Sequence, residues 1–189
     1  MDESLFRILE MNPIIAAVKD MQGLERCCQL PDIRIVFILF GDICNLQDIT
    51  IKTKDAGKLA FIHVDLISGL SAKEIVVDYV AKNTKADGII STRPQLIKRA
   101  QELGLKSIMR FFLLDSMALS NIPRQLDNVS PDCIEILPGL MPKIIRKVSK
   151  SVKVPVIAGG LIAEKEDVVH ALDSGAISVS TTNPTVWTL

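Results

Sequence analysis

Eight times along this chain a short apolar run is followed by a stretch of helical character, at fairly even spacing and with no linker or low-complexity segment. The runs fall at residues 13–18, 34–40, 59–65, 87–92, 106–114, 131–136, 154–159 and 176–180. Between them helices are expected over 21–29, 43–54, 71–82, from Pro94 to a stop at Gly104, over 142–152 and over 164–174. A lead-in helix is expected over 4–10, a short final one from Asn183 and Pro184, and residues 115–130 read as irregular. Alternation of apolar strands with helices specifies a parallel sheet covered by helices. Eight repeats favour an α/β fold of the compact (β/α)8 TIM-like barrel type, with an open doubly wound sheet as the fallback. No GxGxxG follows the first run, which weakens that fallback. Barrels usually exceed about 200 residues, so a barrel of 189 must have short loops and a minimal last helix.

Composition fits one domain spanning residues 1–189. Hydrophobic residues make up 48% and aromatics only 4%, so Ile, Val, Leu and Ala dominate, as in parallel strands covered on both faces. The 22 basic and 22 acidic side chains cancel, so global charge gives no push toward nucleic acid or membranes. Cys27, Cys28, Cys44 and Cys133 contain no CxxC pair and no histidine at metal-site spacing; they read as reduced core thiols, and no metal site or cofactor is expected. The first residues lack a basic region followed by an apolar run, and no apolar segment approaches the roughly 20 residues of a membrane span. A cytoplasmic location is the expectation.

Two local patterns stand out at the end of the chain. Residues 155–162 run from a strand into Gly159 and Gly160, and residues 178–183 run from the next strand into Ser180, Thr181, Thr182 and Asn183. Glycines let backbone N–H groups approach an anion, hydroxyls donate as well, and a following helix N-terminus adds positive potential. Two such ends in the last two repeats match the usual position of a phosphate site in a barrel.

Functional side chains of a barrel sit at strand carboxyl ends, and alternate residues face inward. Period two then aims Lys19, Asp65 with His63 below it, Ser91, Arg110, Glu135 with Cys133 below it, and Ser180 at the mouth. Two cations, Lys19 and Arg110, would face two anions, Asp65 and Glu135. Unpaired buried charge is costly, so these groups pair with one another or with a ligand. Either carboxylate can serve as a structural partner of Arg110, as an acid–base group, or as an acceptor for ligand hydroxyls. His63 reads as a core histidine and His170 as a surface one. The helix over 142–152 carries Lys143, Arg146, Lys147 and Lys150, with Lys153 just beyond, opposite its apolar side. A solvated face explains this pattern, and so does a footprint for an RNA phosphate backbone.

Residues 63–67 (His-Val-Asp-Leu-Ile) with Gly69, then 87–92, 110–115, 131–139 and 157–162, closing with Gly175, Ser180, Thr181 and Trp187, carry a resemblance over nearly the whole length. In this order they resemble the glycerol-uptake operon antiterminator family, bacterial regulators with a barrel-like fold. The resemblance implies a regulator without catalytic residues that responds to glycerol 3-phosphate. It also implies action on a leader mRNA, preventing premature termination or stabilising the message. It would put the phosphate on Gly159, Gly160, Ser180 and Thr181 and the hydroxyls near Asp65 or Glu135, with Lys19 and Arg110 close by. Lys143, Arg146, Lys147 and Lys150 would meet RNA, with a homodimer as the candidate assembly and no membrane partner. The competing reading is a barrel enzyme acting on a small phosphorylated metabolite, an isomerase, aldolase or prenyltransferase, with Lys19, Asp65 or Glu135 as its reactive groups.

Overall fold

The computed structural model describes residues 3–189. Eight parallel strands close into a barrel in sequence order: β1 Ile14–Val18, β2 Ile35–Ile38, β3 Leu59–His63, β4 Gly88–Ser91, β5 Lys106–Phe112, β6 Cys133–Leu137, β7 Val156–Gly159 and β8 Ser178–Thr181. Closure is made by β8 on β1, with Ile15 opposite Ser180. A lead-in helix α1 (Glu3–Met11) precedes β1. Helices α2 (Met21–Cys28), α3 (Leu46–Asp55), α4 (Ile75–Asn83), α5 (Pro94–Glu102), α6 (Ser116–Leu126), α7 (Pro142–Ser151) and α8 (Lys165–Asp173) follow β1 to β7 in turn. After β8 comes only a 3-10 turn, Val186–Thr188, the minimal last helix that the short chain requires.

Alternation along each strand sorts side chains into two layers. Ile15, Phe37, Phe61, Ile90, Ile108, Cys133 and Ile157 fill the inside, and Leu5 and Leu9 of α1 pack onto the same cluster. Phe37 and Phe61 meet edge to face with ring centroids 6.0 Å apart, a favoured aromatic geometry. The other parity, including Val36, Ile62, Ile89, Met109, Ile134 and Val179, lies under the surrounding helices. The amino-terminal end is thus sealed by apolar side chains, and polar inward residues gather at the carboxyl-terminal mouth.

Four expectations change. Residues 115–130 are not irregular: Asp115 caps α6, its Oδ1 accepting from the Ala118 N–H at 2.7 Å, and Pro123 sits inside that helix. The helix expected from residue 71 starts later, and Ser71 and Glu74 form no capping box. Helix α4 begins at Ile75, and Ser71 Oγ accepts from the Lys73 N–H instead. A capping box appears at α8, between Glu164 and Asp167. Strand β3 stops at His63, and residues Val64–Leu66 turn into a 3-10 helix. Finally, Cys27 and Cys133 are buried thiols but Cys44 is exposed. Burial pushes the Cys27 and Cys133 thiols up to about 12, so they are packing groups, not nucleophiles.

Candidate functional site

A cavity of about 400 Å³ opens at the carboxyl ends of the strands. Its walls are Arg110, Glu135 and Leu137 on one side and the loops from Gly160 to Ala163 and from Ser180 to Asn183 on the other, with Ala17 and Leu39 completing it. The polar centre is a three-residue cluster. Arg110 and Glu135 lie opposite each other in the β5–β6 register, and Arg110 Nε donates to Glu135 Oε2 at 2.6 Å. Ser180 Oγ donates to the other oxygen, Glu135 Oε1. Glu135 is fully buried and Arg110 nearly so, which makes mutual pairing obligatory.

Gly159 makes this cluster possible. A Cβ there would fall 2.5 Å from Glu135 Oε1 and 2.6 Å from Ser180 Oγ. It stands behind the cluster and does not line the cavity. Gly160 does line it, with φ +77, and the next residue, Leu161, also has a positive φ of 64. A leucine in the left-handed region is strained, and strain of this kind marks a loop whose backbone path is fixed by its surroundings. Thr181 Oγ1 donates to the Ile162 carbonyl, and Asn183 Nδ2 donates to the Ala163 carbonyl at 3.0 Å. These bonds tie the two loops together. Trp187 then anchors the second loop through Nε1–H to the Thr181 carbonyl at 2.9 Å.

This arrangement alters the expected source of anion affinity. The Ser180 and Thr181 hydroxyl protons are already committed to Glu135 and Ile162. The Asp167 N–H of α8 is capped by Glu164, Asp167 Oδ2 accepts from the Ala163 and Glu164 N–H groups, and Glu166 adds a third acid to the first turn. That helix terminus therefore adds little positive potential. The donors that remain without a partner among the described residues include the Arg110 Nη groups and the N–H groups of Gly160, Leu161, Ile162 and Thr182, together with the Thr182 hydroxyl. They suit a small anion, and the apolar walls of Leu39, Leu137 and Ile162 suit a short carbon chain.

Four of the residues aimed at the mouth lie outside the cavity. Lys19 is exposed, in an adjoining recess with Arg26. Asp65, displaced by the 3-10 turn, accepts from the Thr92 N–H at 2.8 Å and from the Ser91 and Thr92 hydroxyls, with Arg93 Nε 3.4 Å away. Ser91 is on the outer parity of β4, since its neighbour Ile90 fills the interior. His63 is buried beneath the mouth, and its Nδ1 has no hydrogen bond and lies 3.9 Å from Asp65 Oδ2. Burial, reinforced by the Arg110 charge, pushes the imidazole down to about 4, so it is neutral near pH 7. Leu39, Leu137 and Asn183 also line the cavity; the first two are inward by strand alternation and were legible on that ground. Among the described residues no group of three or more His, Cys, Asp or Glu side chains is placed to hold a metal ion. Among the described residues no helix is long and apolar enough to cross a membrane.

Fold and site define a (β/α)8 barrel with an anion-suited cavity at its last two strand ends. The chain belongs to the glycerol-3-phosphate responsive antiterminator family, whose pattern matches residues 14–187. It is 45% identical over 185 residues to an uncharacterized protein, YgcP, of Escherichia coli K12, covering 98% of this chain and 96% of that one. The crystal structure of a glycerol uptake operon antiterminator regulatory protein from Listeria monocytogenes superimposes with a TM-score of 0.89 at 34% identity, over 93% of this chain and 94% of that one. That of a glycerol uptake operon antiterminator-related protein from Thermotoga maritima gives 0.83 at 33% identity, over 95% and 99%.

Proposed function

We propose that glycerol 3-phosphate occupies the cavity and that its binding controls attachment of the chain to the leader of a glycerol-operon mRNA, preventing premature termination or stabilising the message. The observation that supports the reading most directly is the set of uncommitted donors, Arg110 and the backbone of Gly160, Leu161, Ile162 and Thr182, around a cavity with apolar walls. The phosphate would sit on the loops at Gly160 and Thr182, and a ligand hydroxyl would reach the Arg110–Glu135 pair. Gly159, Ser180 and Thr181 act by holding those loops and that pair in place.

RNA would meet α7. Lys143, Arg146, Lys147 and Lys150 are all exposed, and none forms an ion pair among the described residues. The strand leading into α7 carries Glu135 and Leu137, and the Gly139 N–H donates to the Gly160 carbonyl at 3.1 Å. The cavity loop and the α7 loop are therefore in direct contact. A ligand shifts such an equilibrium only by its different affinity for the two states. Catalysis has less support: both oxygens of Glu135 are engaged, and Lys19 and Asp65 do not line the cavity. Action inside the cell, as a homodimer, is part of the proposal.

Filter binding of leader RNA at fixed salt, with and without glycerol 3-phosphate, tests the gating. A ligand-dependent change in affinity is expected, and identical curves contradict it. Replacing Lys147 and Lys150 by Gln should weaken binding and reduce the slope of log affinity against log salt by about 1–2; unchanged binding removes α7 from the interface.

A further inference from the structure

Beside the cavity lies a recess of about 340 Å³ between the end of β1, helix α2 and the Trp187 ring. Ala17 and Thr182 line both spaces, so the recess and the cavity adjoin at these two residues. Lys19 and Arg26 stand on the walls of the recess, both exposed, and neither side chain has a hydrogen bond or ion pair among the described residues. The one carboxylate present, Asp20, is turned to cap α2, its Oδ1 accepting from the Gly23 N–H at 2.7 Å. Trp187 has its N–H committed to the Thr181 carbonyl and offers only its ring. The uncommitted polar groups of the recess are thus the Gln22 amide, two cations and, at the junction, the Thr182 hydroxyl.

A ligand seated by one phosphate at Gly160 and Thr182 meets, past Thr182, two cations that nothing else neutralises. Cations left facing a concave space focus potential on it.

We propose that the recess is a second anion subsite, adjoining the cavity at Thr182. The chain then takes phosphorylated small metabolites that carry a second anionic group, a carboxylate or a second phosphate, more tightly than glycerol 3-phosphate. This rests on the placement of a phosphate in the cavity given above. Lys19 and Arg26 provide the added affinity, and because both are exposed the advantage falls with ionic strength.

Trp187 is the only tryptophan of the chain and lines the recess, so its emission reports occupancy directly. Titration at low salt with inorganic phosphate, glycerol 3-phosphate, 3-phosphoglycerate and fructose 1,6-bisphosphate, read by Trp187 fluorescence and by calorimetry, tests the proposal. At least one doubly anionic ligand should bind about tenfold more tightly than glycerol 3-phosphate, the gain of one charge-assisted contact. In Arg26→Gln that ratio should fall below about threefold while the affinity for glycerol 3-phosphate stays the same; Lys19→Gln with Arg26→Gln should abolish it. Equal affinity for all the phosphorylated ligands in the unaltered protein, or a preference that survives the double substitution, overturns the subsite. So does a loss of leader-RNA binding in Arg26→Gln with no change in the ligand ratio, which would assign the recess to RNA. If inorganic phosphate and glycerol 3-phosphate fail to bind while an Arg26-dependent doubly anionic ligand does, the subsite stands and the glycerol 3-phosphate reading falls.

Discussion

Glu135 and Asp65 are both carboxylates at strand ends, and period two aims both into the barrel mouth, yet they do different work. Glu135 is on a strand that continues to Leu137, so it stays inside, fully buried between Arg110 and Ser180. Asp65 lies two residues past the end of β3, where the chain has already turned, and it fastens that turn to the start of the β4–α5 loop. The first carboxylate organises a cavity; the second organises a rim. What separates them is the length of a strand, which residue type alone does not encode.

The largest effect expected from this contrast is at the buried pair. Arg110→Met should destabilise the fold by about 3–5 kcal/mol in urea unfolding, because Glu135 is left charged with no exposed surface. Adding Glu135→Leu should recover most of that loss. A cost below about 1 kcal/mol for Arg110→Met would show that Glu135 is not buried as a charged partner.

His63 lies 3.9 Å from Asp65 and feels the charge of Arg110, the partner of Glu135, and it sharpens the contrast through pH. Its pKa is lowered in the folded chain, from an ordinary 6.5 to about 4, so the unfolded chain holds more protons between those values. Stability from neutral His63 is complete above pH 6.5 and is lost as pH falls through 4, by about 3 kcal/mol in total. Comparison with His63→Gln across pH 4–7 isolates this contribution. Parallel pH curves for the two proteins would contradict it.

At the rim the effect is smaller. Asp65→Asn keeps an acceptor for the Thr92 N–H but loses the charge that faces Arg93. With the carboxylate partly open to solvent, about 1–2 kcal/mol of stability should be lost. Its glycerol 3-phosphate affinity should be unchanged, since Asp65 does not line the cavity. A variant that folds normally but no longer binds would move Asp65 into the site.

The barrel was legible because its signal is repetitive: eight apolar runs of strand length survive errors of one or two residues at their ends. The paired loops after β7 and β8 were legible as loops because a glycine pair ends one apolar run and a run of hydroxyl residues ends the next. Helix α6 was hidden by Pro123 and Asn121, which read as breakers although both lie inside it; its one clear marker was Asp115, in N-cap position for the Ala118 N–H. The commitments of Ser180, Thr181 and the first turn of α8 were not legible, because they depend on which atoms the folded loops bring within reach. Sequence can nominate a hydroxyl as a donor, but only the fold decides where its proton goes.

The central claim is that the cavity between the β7 and β8 loops is the seat of glycerol 3-phosphate, and calorimetric titration of that ligand tests it most directly. The unaltered protein should bind one molecule per chain. Gly160→Val, which forces a side chain onto a φ of +77 and against Leu137 3.1 Å away, should stay folded by circular dichroism and lose the binding. Absence of a saturable heat signal in the unaltered protein, or undiminished affinity in a folded Gly160→Val chain, would contradict the account.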